Sequence, residues 1–396
     1  MRTHRLSKAR VAITTCCVLL FFTRAAGAQS IGAGLSALLT DQTPAPEGYV
    51  RDMAAAEATF RTVAGLFQVE LSSVPVASSS GGFVYRFNPS FGTVERASDS
   101  FGPFFAERVL RNGKGHLSVG MAYQVAKFTS LQGADLGTGT FPTNTARFAG
   151  QLLPFSVDTL SLTLEESTWT AFGSYGLTNR LDVGASAPFT RLRFSGRRVN
   201  SFLGQSTLQS QRSGSATGIG DVGLNARYRL TGTTGTGVAV GTDLRLPSGR
   251  EEDLLGAGRR TWRVLGIGSW EHGMFAVHGN GGFALGGVSD EQFWAGAATF
   301  APTLRVSMVA EYMGRRLSEL NRVADVYEPH PVLAGIETMR WLPVGGGVHT
   351  AFLVTGVKWN VSRSWLLNMH VLTRLTETGL RARFTPAIGL DYALGF

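Results

Sequence analysis

The last sixteen residues, RARFTPAIGLDYALGF, alternate strictly between two kinds of side chain. Phe384, Pro386, Ile388, Leu390, Tyr392, Leu394 and Phe396 fall on one face, and Arg383, Thr385, Ala387, Gly389, Asp391, Ala393 and Gly395 on the other. A two-residue period belongs to a β-strand, whose successive side chains point to opposite sides. Strands of soluble sandwiches run about 5–6 residues, whereas a strand tilted across a bilayer needs about 9–11. This stretch has the second length.

The rhythm recurs along the chain. Val222, Leu224, Ala226, Tyr228 and Leu230 oppose Asp221, Gly223, Asn225, Arg227 and Arg229; Leu304, Val306, Met308, Ala310 and Tyr312 oppose Arg305 and Glu311. Segments 116–128, 180–189 and 237–247 behave alike, and further strand candidates lie at 157–175, 260–270, 273–286, 291–301, 331–341, 347–360 and 364–375, with 82–88 ahead of them. The connections alternate in length. Those at 175–180, 231–237 and 270–273 are short; those at 129–156, 195–217, 248–259 and 315–329 are long and rich in Ser, Thr, Gly, Asn, Gln and Arg. Short turns on one side and long loops on the other mark a membrane barrel. Trp270, Trp341, Trp359 and Trp365 sit near proposed strand ends, where an interfacial girdle requires aromatic residues.

In hydrocarbon every backbone N–H and C=O must be satisfied within the protein, which only a helix or a closed barrel achieves. Beyond its N-terminal leader the chain has no apolar run of spanning-helix length. The fold expected is therefore all-β: a transmembrane antiparallel β-barrel of about 12–14 strands with a short N-terminal helical or plug segment. Thirteen candidates follow residue 115, yet single-chain bacterial barrels have even strand numbers. One candidate is surplus, and the region 330–365 is where it is expected.

The N-terminus changes the composition. Arg2, Arg5, Lys8 and Arg10 precede an apolar run, Val11 to Phe22, and then Ala26-Gly27-Ala28. This reads as a secretory signal peptide, residues 1–28. Its removal takes both cysteines, Cys16 and Cys17, and five positive charges, so the formal +9 falls to about +4. No disulfide or thiolate metal site remains, and nucleic-acid binding loses its basis. In residues 29–80, Met53, Ala56, Phe60, Val63, Phe67 and Leu71 recur at helical spacing. They read equally as a plug folded into the lumen or as a periplasmic helix; the barrel is expected over 81–396.

TGIGDVGLNARYRL, residues 217–230, contains Gly218-x-Gly220-x-x-Gly223, on paper a dinucleotide fingerprint. That motif needs a buried strand before it and a helix after it. Here a Ser/Gln/Gly-rich stretch precedes and an alternating strand follows, so the glycines open a strand. YGLTNRLDVGASAPF, GIGDVGLNARYRL and GVAVGTDLRLPSG, in this order, resemble the MetA-pathway of phenol degradation family of outer-membrane proteins, akin to the long-chain fatty-acid transporter barrels. The likeness is strongest over 170–300, and GIGD and LPSG are its most specific parts. It implies an outer-membrane barrel of a Gram-negative-type bacterium that admits hydrophobic or aromatic compounds. The C-terminus is also similar to the signal read by the barrel-assembly machinery, through Tyr392 and Phe396, and departs from it at Asp391.

Candidate chemistry is sparse. His116 and Ser118 share a strand face, but two residues along a strand is about 6–7 Å, too far for a Ser–His hydrogen bond. His278, His330, His349 and His370 show no metal-ligand spacing, and Glu328-Pro329-His330 reads as a solvated pair. No catalytic residue, metal or cofactor is expected. Parity places Asp182, Asp221, Arg227, Arg229, Asp243, Arg245, Arg305, Glu311, Arg383 and Asp391 inside, because an Arg at mid-bilayer on the lipid face costs about 2–4 kcal/mol. Their mixed signs suggest internal ion pairs closing the lumen, or polar contacts along a solute path. The function expected is passage or binding of small hydrophobic or aromatic solutes by passive diffusion. The alternatives are a structural or surface-interaction barrel with a blocked lumen and, more remotely, a membrane-embedded hydrolase. Outer-membrane lipid, the barrel-assembly machinery and a small hydrophobic solute are the expected partners.

Overall fold

The computed structural model describes residues 30–43, 49–72, 82, 84–88, 93–232, 235–318, 322–362 and 364–394. Residues 1–28, read as a signal peptide, and the terminal Phe396 lie outside them. Twelve strands close into an up-and-down barrel: β1 (Leu117–Phe128), β2 (Ser156–Gly176), β3 (Leu181–Phe202), β4 (Val222–Arg229), β5 (Gly237–Leu246), β6 (Thr261–His272), β7 (Phe275–Gly286), β8 (Glu291–Thr303), β9 (Val306–Leu317), β10 (Val348–Ser362), β11 (Trp365–Arg374) and β12 (Phe384–Leu394). Each pairs antiparallel with its neighbours in sequence. β12 returns to β1, setting Asp391 opposite Gly120 and Tyr392 opposite Val119, so the ring has no free edge.

The surplus candidate is 331–341. Its residues contribute to a hairpin of Arg322–Pro329 with Ile336–Gly345, which lies between β9 and β10 in sequence and never enters the wall. The stretch 82–88 is not a wall strand either: Tyr85–Asn88 forms a separate ribbon with Thr93–Arg96. The wall thus begins at Leu117 instead of residue 81.

Alternation sorts the wall residues as expected. Leu224, Tyr228, Met308, Tyr312, Ile388 and Leu390 are exposed on the outside, whereas Ser118, Ser307, Glu311, Thr385 and Asp391 are buried inside. Trp270, Trp359 and Trp365 are exposed near the short-turn end, and Trp365 meets Tyr392 at 4.6 Å between ring centroids. Trp341 does not belong to that girdle. It stacks on Phe141 at 5.2 Å and donates from Nε1 to the Pro142 carbonyl at 2.8 Å, away from the lipid face.

β2 and β3 are 21 and 22 residues long, far more than a bilayer crossing needs. Their outer halves rise past the membrane wall at the long-loop end. There Gln205–Ile219 pairs with β3, Phe141–Phe148 with β2, and the 322–345 hairpin with Phe141–Phe148. Two helices, α1 (Ile31–Thr40) and α2 (Met53–Ser72), pack into this annex. Ser30 Oγ caps α1 by accepting from Ala33 N at 3.1 Å, and Asp52 Oδ1 caps α2 by accepting from Ala55 N at 2.9 Å. Ile31, Leu35, Leu38 and Leu39 of α1 and Val63, Phe67 and Leu71 of α2 join Leu160, Leu162, Leu164, Leu192 and Phe194 in one core. Each such side chain contributes about 1.5–3 kcal/mol by leaving water. Contact is close: a Cβ on Gly196 would lie 2.5 Å from the Leu38 side chain, and one on Gly34 2.7 Å from the Phe194 ring, so a larger residue at either would displace a core side chain.

Candidate functional site

The lumen is obstructed from the short-turn side by a chain segment, not by wall ion pairs. Residues 97–112 pass through it without joining any sheet, so their backbone N–H groups need partners from elsewhere. Inward side chains of successive strands supply them. Phe101 N donates to Ser307 Oγ at 2.9 Å, Val109 N to Ser269 Oγ at 2.9 Å and Asn112 N to Asp182 Oδ2 at 2.9 Å. The Glu311 carboxylate accepts from Phe104 N, from Phe105 N at 3.1 Å and from Ala106 N at 3.0 Å. Asn280 bonds Glu107 twice, accepting from its N at 2.5 Å and donating to its carbonyl at 2.9 Å. Lys358 Nζ donates to the Pro103 carbonyl at 2.8 Å.

Apolar contacts complete the seal. Phe101 packs on Leu366 and Ala393, and Phe104 on Val309, Val354 and Leu372. Two arginines of the plug are buried with it: Arg108 donates to the Gly82 and Ser100 carbonyls, and Arg111 Nε to the Val109 carbonyl at 3.0 Å.

Above the plug lies a chamber of about 240 Å³. Phe105 and Glu107 of the plug form its floor, and Val69 and Ser72 at the end of α2 form its ceiling. Glu70 fixes that helix end over the mouth through Arg374 (2.5 Å, β11) and Arg315 (3.6 Å, β9). The walls mix Phe172, Leu265, Phe293, Met313 and Phe352 with Arg227, Asp243, Arg245, Arg263, Glu291 and Arg315. Arg227 pairs with Asp243 at 2.5 Å and with Glu107 at 3.1 Å; Glu291 sits between Arg263 at 3.6 Å and Arg315 at 3.7 Å.

Of the ten residues that parity places inside, Asp182, Asp221, Arg227, Asp243, Arg245, Glu311 and Asp391 line the lumen or its contents. Asp391 lies within electrostatic range of Lys358. Arg229 ends β4 on the same inward face, opposite Ala239, half-buried at the short-turn mouth and donating to the Asn179 carbonyl at 2.8 Å. Two do not belong with them. Arg305 occupies the tight turn between Thr303 and Val306 and is exposed. Arg383 is exposed where β12 begins, its guanidinium 5.2 Å from the Phe384 ring centre. Turn residues follow the parity count but leave the pleat, and parity alone does not reveal that.

The described helices of 29–80 lie over the long-loop mouth and do not fill the lumen, which is occupied by 97–112 instead.

Asp221 has a specific task. Between Ile219, opposite Phe189, and Gly223, opposite Ser186, the chain holds one residue more than its partner strand, a bulge at Gly220-Asp221. The bulge turns the Asp221 carboxylate onto the 248–259 loop, where it accepts from Gly249 N at 3.1 Å and Ala257 N at 2.8 Å. Ser248 Oγ donates to the Gly220 carbonyl at 2.7 Å and accepts from Val222 N at 2.9 Å. GIGD and LPSG are thus the two halves of one clamp. A side chain on Gly249 would collide with the Leu255 carbonyl, and one on Gly256 with the Asp221 carboxylate.

A Ser–His contact does exist, between residues the spacing did not single out: Ser269 Oγ and His278 Nδ1 are 2.8 Å apart on adjacent strands. Both are buried under the plug, and Ser269 Oγ is engaged by Val109 N. His116 instead contacts the Lys114 carbonyl at 3.2 Å through Nδ1. His330 is used structurally: Nδ1 accepts from Val332 N and Leu333 N, and Nε2 donates to the Val50 carbonyl, while Glu328 pairs with Arg340 at 3.0 Å. Among the described residues no group of three His, Cys, Asp or Glu is placed to hold a metal.

No protein-family model and no curated protein matches the chain. Among solved structures, an outer-membrane channel of Pseudomonas putida F1 is similar with 13% identity, 72% of this chain and 98% of the other covered, and a TM-score of 0.46. The toluene transporter TodX of P. putida has 10% identity, 71% and 90% coverage and a TM-score of 0.32. The translocator domain of the autotransporter NalP from Neisseria meningitidis has 9% identity, 72% and 90% coverage and a TM-score of 0.30.

Proposed function

We propose that this chain is an outer-membrane barrel that takes small hydrophobic or aromatic solutes into its luminal chamber and passes them by passive diffusion when the plug yields. The long-loop end and its annex face outward, and the short turns face the periplasm. β12, with Tyr392 and the terminal Phe396, is the segment the barrel-assembly machinery reads. The supporting observation is the 240 Å³ chamber between plug and α2, with aromatic and aliphatic walls and a ring of oriented charges. Ligand sites join apolar surface to placed polar groups; this chamber has both, with a larger share of charged side chains than a purely hydrophobic pocket. The clamp joining GIGD to LPSG holds the 248–259 loop beside the chamber, with Asp221 and Ala257 among its lining, which supports a role for these residues in shaping the solute site.

A second reading, a structural barrel with a permanently blocked lumen, draws support from the number of hydrogen bonds on the plug. Flux of toluene and benzyl alcohol into proteoliposomes separates the two. Passage above that of protein-free vesicles supports the channel. Vesicles as tight as the blank, with no solute bound by the purified protein, support the blocked barrel.

A further inference from the structure

Arg245 differs from every other guanidinium around the chamber. Arg227, Arg263 and Arg315 each have a carboxylate within 4 Å. Among the described residues Arg245 has neither a hydrogen bond nor an ion pair, although it lines the chamber. Its register explains this. It stands opposite Gly223 on β4 and Thr261 on β6, one without a side chain and the other with a short one, so nothing on either neighbouring strand reaches across it. Charges of both signs surround it, Arg263 and Arg315 with Glu291 and Asp243. Those carboxylates are already engaged by other guanidinium groups, which leaves Arg245 without a carboxylate of its own among the described residues, facing a cavity whose other walls include Phe105, Leu265, Phe293 and Met313.

From this arrangement we infer that the chamber's preferred ligand is a small amphipathic monocarboxylate, an aromatic ring bearing one carboxylate, with Arg245 as its anchor. This deepens the solute-binding reading above and rests on it. A guanidinium presents a planar fork that fits a carboxylate with two parallel hydrogen bonds. The ring then lies against the aromatic and aliphatic walls. The volume suits one ring with a short substituent: a dry cavity of about 150 Å³ already accepts benzene, and this one holds about 240 Å³. The flanking Asp243 and Glu291 disfavour a dianion, which selects a carboxylate over a phosphate monoester.

The test is calorimetric binding of three probes of similar size, benzoate, benzyl alcohol and benzylamine, to the full-length protein in detergent, with protein-free micelles as blank. Benzoate is expected to bind about tenfold or more tighter than benzyl alcohol at low salt, and benzylamine weakest. Arg245→Gln brings benzoate down to the benzyl alcohol level, and Arg245→Lys, which keeps the charge and loses the fork, falls between. Heat-dependent gel mobility checks that each variant is a folded barrel. The comparison among probes on the unaltered protein decides the matter even where a variant does not fold. Equal affinity for benzoate and benzyl alcohol, or an undiminished benzoate preference in Arg245→Gln, overturns the anchor while leaving the solute-binding reading intact. Binding of none of the three overturns both.

Discussion

Replacing Glu311 by Ala isolates what holds the plug. The wild-type carboxylate receives three consecutive backbone N–H groups, from Phe104, Phe105 and Ala106, on a segment with no sheet partner. A hydrogen bond to a charged group is worth about 1.5–3 kcal/mol net, so three sum to several kcal/mol. Water entering the lumen replaces part of this, and about 3–4 kcal/mol is a fair remainder. At about 1.4 kcal/mol per factor of ten, the equilibrium between seated and displaced plug shifts by roughly 100–1,000-fold. Single-channel recording in planar bilayers reads that shift as open probability. The Ala variant should open far more often than wild type, and Ser307→Ala, which removes one neutral acceptor from Phe101 N, only a few-fold more. A thiol introduced by Val109→Cys, unreactive to a small thiol reagent in the otherwise native protein, should become reactive when Glu311→Ala is added. If Glu311→Ala retains the heat-dependent mobility of a folded barrel yet opens no more often than wild type and leaves that introduced thiol protected, the carboxylate is not what seats the plug.

Arg198→Ala removes the buried group that donates to the Leu39 and Asp41 carbonyls and pairs with Asp158 at 3.9 Å. The cost of about 3–5 kcal/mol should appear as faster hydrogen exchange in α1 with β4–β9 unchanged. Asp221→Ala strips two N–H acceptors from the clamp, and a loss of about 2–4 kcal/mol should make 248–259 the first site of limited proteolysis. Ile388→Arg places a cation on the lipid face of mid-β12 and should lower stability in lipid vesicles by about 2–4 kcal/mol, read from the urea midpoint. Ser195→Arg, equally outward but on the annex, should stay within about 0.5 kcal/mol of wild type.

The wall was legible because each crossing strand separates two solvents. Ile388, Leu390 and Tyr392 against Thr385, Gly389 and Asp391 is such a record, and register then places Asp391 beside Gly120. Residues 195–217 read as loop for the opposite reason. They are strand to Phe202 and again from Gln205, but their outward face meets water, and their inward face carries Arg198, Asn200, Gln209 and Ser210 as well as apolar groups. No apolar stripe survives to be counted. The plug, ASDSFGPFFAERVLRN, has no period because it has no ladder. The inward charges were recoverable by parity, but of their partners only those on neighbouring strands were. Arg227 finds Asp243 next door, whereas Glu311 and Asp182 find the backbone of a segment some 70 to 200 residues away in sequence.

β2 carries the physical argument furthest. Along its whole length the even-numbered residues point inward, yet the kind of residue on each side changes partway. Above, Leu160, Leu162 and Leu164 are buried and Thr159, Ser161, Thr163 and Glu165 face out; below, Thr168, Thr170 and Ser174 are buried and Trp169, Ala171 and Tyr175 face out. β3 reverses at the same level, from Phe189 outward to Leu192 and Phe194 inward, with Arg191, Arg193 and Arg197 outside. Trp169 and Phe189 are directly opposite one another at that boundary. A constant parity with inverted polarity means that the backbone has not twisted; its surroundings have changed. Below the boundary, lipid lies outside and a polar lumen inside. Above it, water lies outside, and the inner face needs an apolar cover. The apolar faces of α1 and α2 supply that cover, which is why a chain whose wall belongs to a membrane barrel also carries a packed helix–sheet core of the kind found in soluble domains.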